Sequence, residues 1–340
     1  MSTMRQVAAR AGVSAKTVSR VMNNDRYVSV EVRQRVERAI EELQYVPNLL
    51  ARTFRSGRDA AIGVAVPDIS DPFFAAVTHA IEQIARTRGT AVFVTSLGTE
   101  GHDEKAGVEA LLGRQIIGLI STPVAADQSY LKPWQARTAM VFIDRPPSNI
   151  TADSVLEDDH SGAHSATTHL IDRGHRRIAF IGDQPSISTT MRRLDGYRTA
   201  LRDAGIDEDP ELIVLGVTSS AEAAEAAIKL LTLPGPPTAI FSSNTKCSIG
   251  IVPTLHGIER TDVALISFGD VPLAAALQPA LTVVDQNPDA LGRFAATRLF
   301  ERLDNPNRRL RRNTVLPVTL VARASTLNAA EPPTATTPSN

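Results

Sequence analysis

The chain has 340 residues, 43% hydrophobic and 21% charged, which is typical of a soluble globular protein with two or three domains. It contains no run of about 18 apolar residues and no apolar secretion signal at its start, and Cys247 is its only cysteine. These features exclude a membrane-spanning helix and an internal disulfide, and they favour the reducing cytoplasm.

The formal net charge of −1 conceals an uneven distribution. Residues 1–58 carry eleven basic and five acidic side chains, so this head has a charge of +6 and the remainder a charge of −7. A basic head on an acidic body predicts a polyanionic partner for the head alone.

The first 46 residues predict three short helices. Val7, Ala8 and Ala11 have the spacing of one helix face. Gly12 follows them and permits a left-handed turn that ends the helix. Ser14 and Ser29 are the predicted N-caps of the second and third helices. The residues predicted to face inward there are Val18, Val21 and Met22 in the second helix and Val32, Val36, Ile40 and Leu43 in the third.

From residue 61 onwards, short apolar runs alternate with amphipathic stretches, which predicts an α/β body with parallel sheets and helices on both faces. The strands suffice for two lobes, one of residues 59–156 and 286–314 and one of residues 157–285 and 315–327. Residues 328–340, rich in Pro, Thr and Ala, are predicted to be a disordered tail. The predicted strands are Ile62–Val66, Ala91–Thr95, Ile117–Ile120, Met140–Ile143, Ile178–Ile181, Ala239–Phe241, Val263–Phe268 and Leu281–Val284, and the predicted helices are 73–88, 104–113, 161–173, 190–204, 220–232 and 288–303.

The first two helices, joined through AGVS at residues 11–14, predict a helix-turn-helix whose second helix enters the major groove of DNA. Its polar side would present Lys16, Ser19 and Arg20, and an arginine suits guanine. Lys16 and the N-terminal arm can bind phosphates instead. An amphipathic helical hairpin with no DNA role is the alternative explanation of the same pattern.

The stretch VAARAGVSAKTVSRVMN at residues 7–23 resembles the DNA-binding head of the LacI/GalR family of bacterial repressors. YVPNLLAR at residues 45–52 resembles the hinge segment of that family. The similarity continues through IGVAVPD at residues 62–68, DPFF at 71–74, HLI at 169–171 and GHRRIA at 174–179. It covers nearly the whole chain, up to about residue 327. The resemblance implies an all-α helix-turn-helix head in residues 1–46, a hinge helix in residues 47–58 and a two-lobed body like that of periplasmic binding proteins.

The same resemblance implies a homodimeric repressor that binds a palindromic operator. In the hinge, Phe54 stands where the family has a leucine that wedges into the minor groove, and Leu50 and Ala51 share its helical face. Packing of Phe54 on the head or on the partner hinge is the alternative. The positions in the head that match operator contacts of the family are Thr3, Ser14, Ala15, Lys16, Thr17, Ser19, Arg20, Asn23 and Tyr27.

A cleft between two α/β lobes is a common ligand site, because the loops at the carboxyl ends of parallel strands converge there. The resemblance implies a small effector, such as a sugar or a nucleoside. Two positions depart from the family pattern. Gly269 stands where the family has an acceptor aspartate, and Thr245 stands where the family has the aspartate of an Asn-Asp pair. These departures disfavour a standard hexose. The residues implied to bind the effector are Phe73, Asp144, Arg193, Asn244, Asp270 and Gln286.

Each of these side chains also has an ordinary structural explanation: a core position for Phe73, a salt bridge for Arg193 and a lobe-crossing hydrogen bond for Gln286. His160 and His164 have the spacing of zinc ligands on one helix face, but this stretch also fits the solvated face of an amphipathic helix, and no metal site is predicted. The sequence offers no catalytic constellation and predicts no cofactor. The competing hypotheses are a solute-binding or sugar-metabolising protein without a DNA role and a regulator without a small-molecule effector.

Overall fold

The computed structural model describes residues 3–22, 25, 27–45, 61–306, 308 and 311–327. Within the chain, two compact units are distinguished, Met1–Ala60 and Ala61–Asn340. The predicted hinge and tail therefore lie outside the described residues, as do four of the predicted DNA contacts, Asn23, Leu50, Ala51 and Phe54.

The described part of the first unit contains three helices, α1 (Met4–Ala11), α2 (Ala15–Met22) and α3 (Val30–Glu42). Thr3 and Gln6 form a reciprocal capping box at the start of α1, and Gly12 ends this helix with a left-handed φ of 65°. The Ser14 hydroxyl accepts a hydrogen bond from the Thr17 backbone N–H (3.1 Å) at the start of α2, and Ser29 caps α3. The predicted caps of the second and third helices are confirmed.

These helices enclose a small core of their own. Its fully buried members are Val7, Ala8, Ala11, Val18, Val21, Val36, Ala39 and Tyr45. The prediction for α3 is wrong at one position, since Ile40 and Leu43 pack against this core but Val32 does not, and Ala39 lies in the core instead. The apolar face that packs is the one centred on Val36 and Ala39, three residues apart on the helix.

The second unit contains two six-stranded sheets, one in each lobe. The first has the strand order β11-β5-β4-β3-β1-β2, and all its neighbours are parallel. The second has the order β12-β10-β9-β8-β6-β7 and is parallel except at one edge, where β12 runs antiparallel to β10. The predicted α/β body with parallel sheets is confirmed, and β12 adds one antiparallel edge strand to the second sheet. The strands are β1 (Ala61–Val66), β2 (Ala91–Ser96), β3 (Gly118–Ser121), β4 (Ala139–Ile143), β5 (Asp153–Glu157), β6 (Ile178–Ile181), β7 (Ile213–Val214), β8 (Ala239–Ser242), β9 (Ala264–Phe268), β10 (Thr282–Asp285), β11 (Asn313–Leu316) and β12 (Thr319–Val321).

Helices cover both faces of each sheet, as the alternation of strands and helices predicts. In the first lobe α4 and α10 pack on one face and α5 on the other. In the second lobe α8 and α9 pack on one face and α6 and α7 on the other. The helices are α4 (Pro72–Thr87), α5 (Glu104–Leu112), α6 (Asp159–Asp172), α7 (Ser188–Asp203), α8 (Ser220–Leu231), α9 (Thr245–Gly257) and α10 (Pro288–Asp304).

Among the described residues the chain passes between the lobes three times, from β5 to α6, from β10 to α10 and from β11 to β12. The lobe boundary predicted at residue 314 falls inside β11, which continues in the first sheet to Leu316. Four strands (β5, β7, β11 and β12) and α9 were not predicted. The carboxyl ends of the parallel strands of both sheets face the space between the lobes, and this arrangement creates the cleft.

Candidate functional site

Helix α2 presents a polar face to solvent over a buried apolar one. Val18 and Val21 are buried, whereas Ala15, Lys16 and Arg20 are exposed. Thr17 and Ser19 are half-buried between the two faces. The helix therefore offers its polar side chains on one surface, which a recognition helix in the major groove requires.

Arg20 is held by Asp25 through an ion pair of 2.8 Å between Nε and Oδ2. The other carboxylate oxygen of Asp25 accepts a hydrogen bond from the backbone N–H of Tyr27 (2.9 Å). The hydrogen bond from Arg20 and that from Tyr27 lower the pKa of Asp25, so this carboxylate stays charged. Asp25, which sequence reasoning missed, thus fixes the position of two predicted DNA contacts relative to each other.

Three other predicted contacts use their hydroxyls at helix N-termini. Thr3 caps α1, and the hydroxyls of Ser14 and Thr17 lie 2.9 Å apart at the start of α2. Their side-chain oxygens therefore have a structural role, and the N-terminal turns that they organise are suited to phosphates. Tyr27 is 72% exposed, and this exposure is compatible with a contact to DNA.

A cavity of about 670 Å³ lies between the lobes of the second unit. Five of the six predicted effector ligands line it, namely Phe73, Asp144, Arg193, Asn244 and Gln286. The sixth, Asp270, lies outside this cavity and forms an ion pair with Arg323 (2.9 Å). Charged side chains that sequence reasoning missed also line the cavity: Asp68, Asp71, Arg145, Asp183 and Lys246.

Arg193 is buried on the second-lobe side of this cleft. Its Nε donates to Asp159 (2.7 Å), one terminal nitrogen donates to the Ser243 carbonyl (2.7 Å), and the guanidinium lies 3.9 Å above the Phe268 ring. The predicted salt bridge of Arg193 is therefore present and uses its Nε. The residue also lines the cleft. A guanidinium fixed on two sides is a pre-oriented donor for a ligand.

Three carboxylates surround this guanidinium at the back of the cleft: Asp144, Glu157 and Asp159. Burial, aided by Asp144 and Asp159, raises the pKa of Glu157 well above its usual value. Burial also raises the pKa of Asp159 to about 6, although Arg193 opposes this shift. One oxygen of Glu157 and one of Asp159 are buried without a hydrogen-bond partner, so the cluster holds more acceptors than donors.

Gln286 links the lobes at this point. It follows β10 of the second sheet, and its side-chain amide donates to Glu157 at the end of β5 (3.1 Å). The predicted lobe-crossing hydrogen bond is therefore present, and the same side chain also lines the cleft.

A second link between the lobes joins Asp71 and Thr245. Asp71 caps α4, and its Oδ1 accepts hydrogen bonds from the Phe73 N–H (2.9 Å) and the Thr245 hydroxyl (3.0 Å). Burial raises the pKa of Asp71. The Asp71-Pro72 pair is a recognisable helix start, but no local pattern indicates its partner 174 residues away.

The glycine that replaces the acceptor of the family fits this geometry. Gly269 has a φ of 96°, and a Cβ there would lie 2.7 Å from Thr245 Cγ2 and 2.9 Å from Gln286 Oε1. The space of an aspartate side chain is thus taken by Thr245 and Gln286. The two departures from the family pattern, at Gly269 and Thr245, are parts of one arrangement.

Asn244 and the histidines have defined partners. Asn244 Oδ1 caps α9 by accepting from the Cys247 N–H (2.8 Å), and burial raises the pKa of the Cys247 thiol to about 12, far from a reactive thiolate. His160 lies 3.4 Å from Asp195, and His164 lies 3.1 Å from Asp203. In the described part of the chain, no group of three potential ligands has the geometry to hold a metal ion.

Comparison with known proteins identifies the class. Residues 3–48 match the bacterial regulatory proteins of the lacI family, and residues 167–326 match the periplasmic binding protein-like domain. The chain is 31% identical to the ribose operon repressor of Escherichia coli strain K12 over 332 residues, which span 96% of this chain and 100% of that protein. It is 30% identical to the HTH-type transcriptional repressor PurR of Aliivibrio fischeri over 96% of this chain and 99% of that one.

Solved structures agree with this assignment. The lac repressor dimer bound to operator and the anti-inducer ONPF superposes with a TM-score of 0.83 at 27% identity, covering 96% of this chain and 99% of that one. A LacI family regulator from Enterococcus faecium with bound ribose superposes with a TM-score of 0.70 at 25% identity, over 78% and 98% of the two chains. The fold and site define a DNA-binding transcription regulator with an effector-binding body. The chain belongs to the lacI family of bacterial regulatory proteins. No described helix is both long enough and apolar enough to cross a membrane.

Proposed function

We propose that this protein represses transcription in the cytoplasm as a homodimer on a palindromic operator, under the control of a small molecule bound in the cleft. The observation that carries the proposal is the pairing of an exposed recognition helix with an interlobe cavity that five predicted effector ligands line. Two heads about one DNA turn apart would bind the two half-sites. Its role is regulatory rather than enzymatic.

Within the head, we assign base reading to Arg20 and Ser19 and phosphate contact to Lys16. Arg20 is exposed and oriented by Asp25, which suits bidentate contact with guanine. Lys16 lies one residue into α2 and is exposed, as a phosphate contact requires.

We assign the dimer surface to α4 and the edge strand β2 of the first lobe. The edge strand exposes Val94 (43%), and the neighbouring Ile69 is 41% exposed. An open sheet edge with exposed apolar side chains is a natural site for a symmetric partner.

The effector class that fits the cleft is a neutral molecule rich in hydroxyls, such as a pentose or a nucleoside. Four carboxylates and three cationic side chains line the cavity. Because the two signs nearly balance, a charged ligand would gain little net electrostatic attraction there. Phe73 is 8% exposed and lies edge-on to Phe74, which provides an apolar wall beside these polar groups. The name of the Escherichia coli relative and the ribose-bound structure support a pentose as the first candidate.

The operator can be identified by selection from a pool of random duplexes with the full chain. Fluorescence anisotropy on the selected palindrome with pentoses, hexoses and nucleosides then reports the ligand class and the sign of its effect. We expect a palindromic consensus and a change in affinity of at least about 10-fold with one ligand, a coupling of about 1.4 kcal/mol. A ligand that binds a protein unable to select DNA supports a solute-binding role instead. A palindrome whose affinity no compound in the panel changes supports a regulator without a small-molecule effector.

A further inference from the structure

Arginines gather at one edge of the first sheet, the edge at which its strands begin. Arg137 lies two residues before β4, and Arg311 and Arg312 directly precede β11. Arg302 lies in the last turn of α10, and Arg308 follows that helix. Because the strands of this sheet are parallel, their first residues lie along the same edge. We call this set the basic edge: Arg137, Arg302, Arg308, Arg311 and Arg312.

The basic edge has more positive charge than its neighbours neutralise. Arg302 forms two hydrogen bonds with Asp153 (2.7 and 2.8 Å), and Arg308 lies 3.7 Å from Glu301. Among the residues that the structure describes, no acidic side chain lies within 4.0 Å of a guanidinium nitrogen of Arg137, Arg311 or Arg312, and all three arginines are exposed. A cavity of about 340 Å³ is lined by Arg137, Arg302 and Arg312.

This concentration contrasts with the rest of the body. Residues 59–340 have a net charge of −7, yet residues 298–312 contain six arginines and two acidic residues. Exposed like charges repel one another unless a counter-charge is supplied, so the edge is suited to an anionic partner. The fork of an arginine matches the oxygens of a phosphate.

Chain connectivity indicates which anion this is. Strand β1 begins at Ala61, where the chain passes from the first unit into the second, and the start of β1 lies on the same edge of the sheet. The chain therefore enters the second unit at the edge that carries the arginines. Four strand spacings separate β1 from β11, about 19 Å.

We propose that the basic edge binds the phosphates of duplex DNA flanking the operator, as a second and sequence-independent DNA contact made by the body. The proposal rests on the proposed function, since the head must first hold an operator. Arg137 and Arg312 are the residues to test, because both line the cavity and neither has an acidic partner in the described part of the chain.

The test compares the selected palindrome in a duplex of about 20 base pairs with the same palindrome centred in about 60 base pairs. The full-length wild type, R137A/R312A and a control, R202A/K229A, are titrated by anisotropy between about 50 and 200 mM salt. The control removes the same charge from two exposed residues of the second lobe, Arg202 and Lys229. We expect the wild type to bind the long duplex at least about 10-fold more tightly than the short one, with a steeper salt dependence.

R137A/R312A should lose this gain while binding the short duplex like the wild type. Its salt slope on the long duplex should fall by about 3.6, because a dimer loses four contacts worth roughly 0.9 each. The control should keep the gain. The proposal is overturned if the wild type shows no gain, if R137A/R312A retains it, or if both variants lose it equally. If the wild type does not bind the short duplex, that result contradicts the proposed function instead. The three proteins are then compared on a duplex of about 60 base pairs of arbitrary sequence. Equal affinities of the three proteins there overturn the basic edge as a DNA contact.

Discussion

The Asp71 carboxylate meets the Thr245 hydroxyl across the cleft, with 3.0 Å between Oδ1 and Oγ1. Asp71 belongs to the first lobe and Thr245 to the second, so this hydrogen bond couples the lobes directly. Any effector that changes the lobe angle must either keep this bond or replace it with bonds of its own.

We expect T245V to weaken the body by removing this link. The substitution keeps the shape of the side chain and leaves one acceptor of Asp71 without its donor, so the free energy of unfolding should fall by about 1 kcal/mol. Chemical denaturation of the full chain measures it. T254V is the matched control, since the Thr254 hydroxyl donates to the Gly250 carbonyl within the same helix. Equal losses in both variants would show that the interlobe bond contributes nothing of its own.

The buried carboxylates predict an unusual pH dependence. The pKa of Asp159 is raised to about 6 and that of Glu157 is raised well above its usual value, both chiefly by burial. The folded chain therefore keeps protons that the unfolded chain releases above about pH 4, and the free energy of unfolding falls as the pH rises towards 6. Asp159 alone accounts for about 2 kcal/mol of the change between pH 4.5 and pH 7. Denaturation curves between about pH 4.5 and pH 7 measure the slope.

E157Q tests the origin of this slope. A glutamine resembles the protonated acid, so we expect E157Q to be at least as stable as the wild type at pH 7 and to have a shallower pH profile. The contrasting variant is E104Q. Glu104 is equally buried, but its Oε2 accepts from two backbone N–H groups, of Val124 and Ala125, and its Oε1 accepts from the Tyr130 hydroxyl. An amide cannot accept all of these bonds, so E104Q should lose about 2 kcal/mol or more. A similar loss in E157Q would contradict the assignment.

Gly269 should resist any side chain for two separable reasons. G269A adds both a strained φ and a collision with Thr245, whereas at Gly174, with a φ of 90°, an added Cβ would have no other atom within 4 Å. We therefore expect G174A to cost about 1–2 kcal/mol through the backbone alone and G269A to cost more. T245S removes the Cγ2 atom and should restore part of the loss in G269A. Thermal unfolding of G174A, G269A, T245S and G269A/T245S measures these differences. If T245S does not restore stability to G269A, the collision is relieved by movement elsewhere.

The roles assigned within α2 predict different binding phenotypes. R20A should lose about 1–3 kcal/mol of discrimination at one base pair of each half-site, while K16A should weaken binding to all sequences and lower the salt slope. D25N removes the charge that orients Arg20 and should produce part of the R20A phenotype. Competition with single-base variants of the selected palindrome measures discrimination. If R20A weakens every sequence equally, Arg20 contacts phosphate and not a base.

Patterns among neighbouring residues predict the helices of the head and most elements of the body. The elements that they do not predict depend on contacts between residues far apart in the sequence. The capping residues Ser14 and Ser29 and the glycine at position 12 fix the helix ends by short-range hydrogen bonds, which a sequence displays directly. Strand β5 was not predicted because acidic residues, Asp153 and Glu157, occupy both its ends, and their burial depends on partners more than 100 residues away.

Helix α9 escaped prediction for a different reason. Gly250 and Pro253 interrupt its pattern, and a Cβ at Gly250 would collide with the Ser220 carbonyl, so the glycine serves close packing on α8. The candidate cleft residues followed from resemblance, but the link from Asp71 to Thr245 and the ion pair from Arg20 to Asp25 depend on three-dimensional proximity. Both alter what the neighbouring predicted residues can do.

The short passage from β11 to β12 has a consequence for synthesis. Only Pro317 and Val318 separate these strands, and each strand completes the edge of a different sheet. The described core of the first unit, by contrast, is formed by residues between Met4 and Tyr45. A growing chain can therefore form its DNA-binding helices long before either lobe is closed, and both lobes close when the same short stretch leaves the ribosome. A chain interrupted before residue 313 leaves β5 and β10 as open edges at once, which exposes it to aggregation and proteolysis before it can act as an unregulated repressor.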